Sequence, residues 1–265
     1  MIKRILNVLE LIRYWQWQDK IQTVLIAILS LIIFTNTLSL LWKEIIIFFC
    51  YFYAACSYGY LINLYFDEHV DKQAKKFPLL DFSSYFVKIL IGITGILTLF
   101  LPFLFHNGSI ILLSIIIFFM ATFYSAPPLR FKNRDIWGLA VAAITQRLPF
   151  LFFVFLIPEH KTFTFYLFGW LLIIGFLIEL AHQIDDYHND LKTGIKTAGV
   201  SWGIKKTKKI IYALFIILII YMAIPLIQLL TTQINQNIFL SLILFIFSME
   251  TIRTTMESID RAYRR

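Results

Sequence analysis

Long apolar runs separated by short polar links organise this chain. Eight of them can be marked off, at residues 21–42, 45–66, 85–105, 108–126, 136–157, 162–184, 209–230 and 236–256. About 20 apolar residues suffice to cross roughly 30 Å of hydrocarbon as a helix. The pattern therefore predicts an all-α fold: a polytopic membrane bundle of about eight transmembrane helices. The links are short, so residues 1–265 form one domain. Ahead of the first run the pattern changes. Ile2, Ile5, Leu6, Leu9 and Ile12 share one helical face, opposite Lys3, Arg4, Asn7 and Glu10. That periodicity predicts an amphipathic helix over 1–20, lying on the membrane interface. The stretch is too charged to be the apolar core of a cleavable signal.

Composition strengthens the membrane reading. The chain is 59% hydrophobic and 17% aromatic, against about half apolar for a soluble domain. Its net charge of +8 would suit nucleic acid in a soluble protein. Threading eight spans from a cytoplasmic N-terminus puts all 24 Lys and Arg on the cytoplasmic side except Lys43, Lys161 and Arg147. The basicity is thus the positive-inside bias of a membrane protein. No nucleic-acid partner is implied, and both termini are expected in the cytoplasm. Cys50 and Cys56 lie six apart on different faces of one helix and imply no disulfide framework.

The second run ends in an unusual way. NLYFDEHVD, residues 63–71, places Asn63, Asp67 and Asp71 four residues apart. On a helix these side chains stack along one face, with neighbouring Cβ atoms about 5–6 Å apart. Like charges so arranged repel, and a cation between them removes the penalty. The sixth run ends the same way. In ELAHQIDDYHNDLKTGIKT, residues 179–197, His182, Asp186 and Asp190 are again spaced by four. Runs two and six have the same orientation in the threading, so both acidic faces emerge on the cytoplasmic side. Six of the chain's 16 acidic residues fall within 67–71 and 185–190. Solvated helix ends would explain one such cluster better than two.

Hard oxygen donors suit Mg²⁺, which takes one or two carboxylates together with substrate phosphates. Zinc would want His and Cys, and no Cys is near. Neighbouring cations, Lys72 and Lys192 among them, would neutralise remaining phosphate charge. A third cytoplasmic stretch fits: YSAPPLRFKNRD, residues 124–135, in which Pro127 and Pro128 stop the helix and Arg130, Lys132 and Arg134 follow. A diphosphate head at the interface with an apolar tail among helices describes a lipid diphosphate. Diphosphate leaving an allylic lipid generates a carbocation. Mg²⁺ stabilises the leaving group, while aromatic faces such as Tyr60 stabilise the cation.

NLYFDEHVD, YSAPPLRFK and DDYHNDLKTGIKT together resemble the three cytoplasmic signatures of the UbiA-type intramembrane prenyltransferases, NxxxDxxxD, YSxPPxRxK and DxxxDxxxGxxT. The resemblance runs from about residue 13 to the C-terminus. It implies a helical bundle around a central cavity, and Mg²⁺-dependent transfer of an isoprenyl group from a prenyl diphosphate to a lipophilic or aromatic acceptor. By matching positions it implies that Asn63, Asp67 and Asp71 form a first metal–diphosphate site, that Asp186 and Asp190 form a second, and that Tyr124, Arg130 and Lys132 contact the diphosphate. Arg13 resembles the family's N-terminal Arg. The chain departs from the pattern in three places. Tyr14 stands where Pro usually follows that Arg, His182 and Gln183 stand where an Asn is common, and nine spans are commoner than eight. These departures point to a branch away from the familiar quinone enzymes.

Ionisable groups at membrane depth line cavities or pair with one another. Arg147 lies well inside the fifth run, with Pro149 two residues on. Glu179 lies about two turns before Asp186. Both are candidates for the acceptor region, with His182 and Tyr60, and a structural Arg147–Glu179 pair is the competing account. Pro225 is expected to kink the seventh run. The recurrence of an acidic face after runs two and six points to two four-helix halves, 21–126 and 136–256. A membrane terpene cyclase with the same metal site, and a cation or metabolite transporter, are the alternative functions. A transporter would place its acids near the midplane, whereas these sit at the cytoplasmic edge. CDP-alcohol phosphotransferases are excluded by the missing DGxxAR signature. Donor chain length, acceptor and oligomeric state are not legible. Aromatic acids, naphthoquinone precursors, tetrapyrroles, glyceryl lipids, sugar phosphates and carotenoid ends all remain open as acceptors.

Overall fold

The computed structural model describes residues 18–35, 38–73, 84–229 and 235–264. These are helical, with short links. In chain order the helices are α1 (Gln18–Thr35), α2 (Leu38–Gln73), α3 (Ser84–Phe100), α4 (Gly108–Ser125), α5 (Asp135–Thr145), α6 (Phe152–Leu156), α7 (Lys161–Asp185), α8 (Tyr187–Thr193), α9 (Ala198–Leu229) and α10 (Asn235–Arg264). Among the described residues there is no strand, only an isolated bridge between Asp135 and Thr197. Four stretches are long and apolar enough to cross a membrane: Leu41–Glu68, Tyr85–Phe105, Gly108–Ser125 and Pro158–Asp185. A fifth apolar stretch is broken: Asp135–Thr145 and Leu148–Leu156 meet at a bend of 48°, and together they have the length and composition of one span. The chain is a multi-pass membrane protein. The apolar part of α1 is shorter, Ile21–Ile33, and residues 224–243, which span the end of run seven and the start of run eight, have side chains outside the described residues. Residues 1–17, which include Arg13 and most of the expected interfacial helix, lie outside the described residues.

The chain divides into two compact units. One comprises Met1–Ile21 and Leu40–Phe131, the other Gln22–Ser39 and Lys132–Arg265.

In the first unit three helices meet at Tyr58. Its ring stacks on Phe118 of α4, centroids 4.6 Å apart, and its hydroxyl bonds Thr122 Oγ1 at 2.7 Å. Gly95 of α3 lies against the same ring, where an added Cβ would come within 3.1 Å. Gly59 of α2 faces Ala121 of α4. Small residues here let the helices approach closely without a hydrophobic drive between them. Contacts between α2 and α4 advance in step along both chains, from Tyr58–Thr122 to Asn63–Ser125 to Asp67–Arg130. The two helices therefore run parallel and end on the same side. The helix α2 also outlasts its apolar run, reaching Gln73, so Asp67 and Asp71 stand on the helix itself. At the other end, Asn107 starts α4 by accepting the N–H groups of Ser109 and Ile110 at 3.0 and 3.3 Å, a side-chain N-cap.

In the second unit, Trp170 of α7 donates its indole N–H to Ser248 Oγ of α10 at 3.0 Å, and that hydroxyl lies 2.9 Å from Met222 Sδ of α9. Tyr166 and Tyr221 stack at 4.9 Å, joining α7 to α9. The pairs Trp170–Ser248 and Asp185–Arg261 advance together, so α7 and α10 run parallel. The pairs Tyr166–Tyr221 and Gln183–Gly199 run in opposite senses, so α9 is antiparallel to α7. The fifth run breaks where its proline predicts. Pro149 cannot donate to the helical ladder and its ring clashes with the preceding turn. The segment Leu148–Leu151 is therefore a 3₁₀ turn between α5 and α6. The helix α9 stays helical on both sides of Pro225; its non-helical residue is Gly203, ahead of the seventh run, with φ 72° and ψ 157°, a conformation that glycine adopts without steric cost.

Candidate active site

Two of the three signatures, more than 60 residues apart in sequence, meet in the first unit. The Ser125 hydroxyl donates to Asn63 Oδ1. One turn on, Arg130 Nη2 lies 3.4 Å from Asp67 Oδ1, with the Asp67 side chain 14% exposed and that of Arg130 37%. Arg130 holds a left-handed backbone, φ 40°, uncommon for a residue with a Cβ. Its N–H closes the turn onto Ala126 O at 3.0 Å. Pro127 and Pro128, both exposed, precede it. The turn after α4 thus carries Arg130 back over the acidic end of α2. Tyr124 and Tyr60 are half-buried in this unit. The side chains of Asp71 and Lys72 lie outside the described residues.

The second acidic motif belongs to the second unit, and it is continuous in spirit with a helix. Asp186 separates α7 from α8, yet its φ and ψ, −86° and −4°, keep the turn near helical. The bonds Asp186 N–H to His182 O and Asp190 N–H to Asp186 O, each 2.9 Å, preserve the four-residue step. The spacing of His182, Asp186 and Asp190 read from the sequence survives the junction. Gly194 then turns the chain at φ 72°, and Ile195 N–H reaches back to Asp190 O at 2.9 Å. Asp190 is buried and accepts from Thr197 Oγ1 at 3.4 Å. That hydroxyl in turn accepts the N–H of Val200 at 3.3 Å, at the start of α9. Asp185 points elsewhere. It pairs with Arg261 of α10 at 3.0 Å, and this bond raises the Arg261 pKa above its ordinary value.

The boundary between units falls inside the YSAPPLRFK signature, between Phe131 and Lys132. Lys132 is buried. His182 and Lys192 are exposed, and Glu179 is half-buried. Arg147 is fully buried at the break after α5. Gly175 makes room for it: a Cβ there would lie 3.4 Å from Arg147 Cγ and 3.2 Å from the Ala143 carbonyl oxygen.

Reading the sequence did not single out Ser125, Thr197, Asp135 or Ser201 as site residues. The first three lie within the quoted stretches, where their position was the available signal. Nothing in sequence marks Ser201. Among the described residues no three His, Cys, Asp or Glu side chains gather as a self-sufficient metal site. The donors present, Asn63 Oδ1 and the Asp67, Asp186 and Asp190 carboxylates, are hard oxygens. In each unit they are donors of the kind that magnesium takes together with water and phosphate.

Helices of membrane length carrying acidic ladders and a basic turn at their ends define a polytopic membrane protein. The family model of the UbiA prenyltransferases matches residues 23–263, and the chain belongs to that family. Its fold is similar to that of a UbiA homologue from Archaeoglobus fulgidus bound to DMAPP and Mg²⁺, with a TM-score of 0.69 at 17% identity over 97% of each chain. A UbiA homologue from that organism bound to GPP and Mg²⁺ aligns with a TM-score of 0.65 at 15% identity, over 97% of this chain and 98% of that one. A structure described with the biosynthesis of digeranylgeranylglyceryl phosphate synthase in membranes aligns at 0.65 and 20% identity, over 99% and 100%. No curated protein sequence matches the chain significantly.

Proposed function

We propose that this protein moves an isoprenyl group from an allylic prenyl diphosphate to a lipophilic or aromatic acceptor, with its site at the cytoplasmic edge of the bilayer and both termini cytoplasmic. The observation that carries the reading is the Asp67–Arg130 contact beside Asn63–Ser125. It joins an acidic, metal-suited ladder to a guanidinium suited to phosphate, as a magnesium-bound diphosphate requires. Family membership and the prenyl diphosphates bound by the Archaeoglobus homologues support the same reading.

In this reading Asn63, Asp67 and Asp71 would bind metal and diphosphate, and Asp186 and Asp190 would do the same on the second motif. Magnesium supplies positive charge that offsets the charge developing on the departing diphosphate. Arg130, with Lys132, Lys72, Lys192 and the Tyr124 hydroxyl, binds the phosphate oxygens; the guanidinium's planar fork suits bidentate contact. The bond from allylic carbon to diphosphate oxygen breaks, and both electrons leave with oxygen. The acceptor nucleophile then forms the new bond to that carbon and loses its proton. Aromatic faces such as Tyr60 stabilise the intervening cation, and an apolar surrounding keeps water from quenching it. Arg13, Arg147, Glu179 and His182 are assigned to acceptor orientation.

The test uses purified protein in detergent or nanodiscs, with Mg²⁺, an allylic prenyl diphosphate and a panel of acceptors. Diphosphate release with a prenylated product is expected, and Asp67→Asn and Asp186→Asn abolish it at normal expression. Full turnover in both variants refutes the assignment. A product equal in mass to the prenyl chain alone identifies a cyclase instead.

A further inference from the structure

We propose that Asp135 is a positioning residue that ties the segment just after Lys132 to the second acidic motif; the inference rests on the prenyltransferase reading above. Asp135 opens α5, three residues after Lys132. Its backbone is left-handed, φ 46°, a region that side chains with a Cβ resist and that Asn and Asp tolerate best. Two bonds hold it there. Its N–H donates to Lys196 O at 3.1 Å, the bond of the bridge that pairs it with Thr197. Its carboxylate accepts from Ser201 Oγ in the first turn of α9. An aspartate at a helix start ordinarily serves its own helix, through the macrodipole or by capping. Here the carboxylate is spent on another element.

The partners explain the choice. Lys196 and Thr197 end the loop that begins at Asp190, and the Thr197 hydroxyl is hydrogen-bonded to the Asp190 carboxylate and caps α9. Asp135 therefore sits one bridge from the residue that orients Asp190, and three residues from the buried Lys132. Releasing it would free the loop that orients Asp190 and the segment that carries Lys132 together.

Three variants separate the contributions. Asp135→Asn keeps an acceptor oxygen and tolerates the left-handed backbone. Asp135→Ala loses both. Ser201→Ala deletes only the donor. Backbone hydrogen exchange is read over 130–137 and 194–201, binding is read by calorimetry with Mg²⁺ and inorganic diphosphate, and KM is compared with kcat. Asp135→Ala and Ser201→Ala are expected to exchange faster in both segments. They should also weaken Mg²⁺–diphosphate binding and raise the prenyl diphosphate KM roughly tenfold, the loss of one charge-assisted bond. Their kcat should stay within about twofold, as expected when binding common to ground and transition states is lost. Asp135→Asn should recover most of the wild-type behaviour. Unchanged exchange over 194–201, or wild-type KM and diphosphate binding in both disrupted variants, overturns the proposal. So does a KM rise that only follows lost thermal stability. Wild-type protein that neither binds nor releases diphosphate refutes the functional reading itself, and this inference with it.

Discussion

Replacing Arg130 by Gln keeps the stem and the Cβ at the left-handed backbone, φ 40°, so backbone strain is the same before and after. What is lost is the guanidinium, which in the free protein lies 3.4 Å from Asp67 Oδ1. Two magnitudes follow. As an ion pair the contact is long, and the Arg130 side chain is 37% exposed. Its contribution to folding is therefore within ~1 kcal/mol, a shift in unfolding temperature of about 2–4 °C at most. As a ligand for diphosphate the same group donates charge-assisted bonds, each worth about 1.5–3 kcal/mol. At 1.36 kcal/mol per decade, losing one such bond lowers kcat/KM about 10- to 150-fold. Function should thus fall far more than stability. Arg130→Lys, which keeps the charge and loses the fork, should lie between. The assay is coupled diphosphate release at varied prenyl diphosphate, with thermal unfolding measured on the same preparations. A double-mutant cycle with Asp67→Asn should show coupling, because the two side chains touch. Unchanged kcat/KM in Arg130→Gln, or activity lost only in proportion to stability, refutes the reasoning.

Other predictions bear on the second unit and on the metal. Chelating Mg²⁺ should abolish diphosphate release, and re-adding Mg²⁺ should restore it where Zn²⁺ does not, because the donors are hard oxygens; full activity after chelation refutes the metal assignment. Gly169→Ala should destabilise by about 2 kcal/mol: its Cβ would overlap the Tyr221 hydroxyl and lie 2.9 Å from Cζ. The 2.8 Å bond to Tyr166 O and the ring stack would be lost with it. Gly92→Ala, with nothing within 4 Å, is the matched control and should be neutral or up to ~1 kcal/mol stabilising; equal melting temperatures in detergent would contradict the packing argument. Arg147→Leu should bind prenyl diphosphate normally and transfer the chain poorly, and normal turnover would end the acceptor role given to Arg147.

The sequence alone was enough to specify the helices and the chemistry of their ends. Apolar runs of membrane length and acids at four-residue steps are local patterns, and local patterns survive folding. The step from His182 through Asp186 to Asp190 held even across a junction between helices, because the backbone there stays near helical. Pro149 foretold the break after α5 for the same reason, its cost being intrinsic to the residue. No apolar pattern marked Gly203, which carries the non-helical backbone of α9 because glycine adopts the required φ freely. Tertiary structure decided the pairings. Arg130 with Asp67, Ser125 with Asn63, and Asp135 with Ser201 are each set by how parallel helices and their turns are brought together across more than 60 residues. No periodicity encodes such a contact, because its partners are chosen by packing in space and not by spacing along the chain.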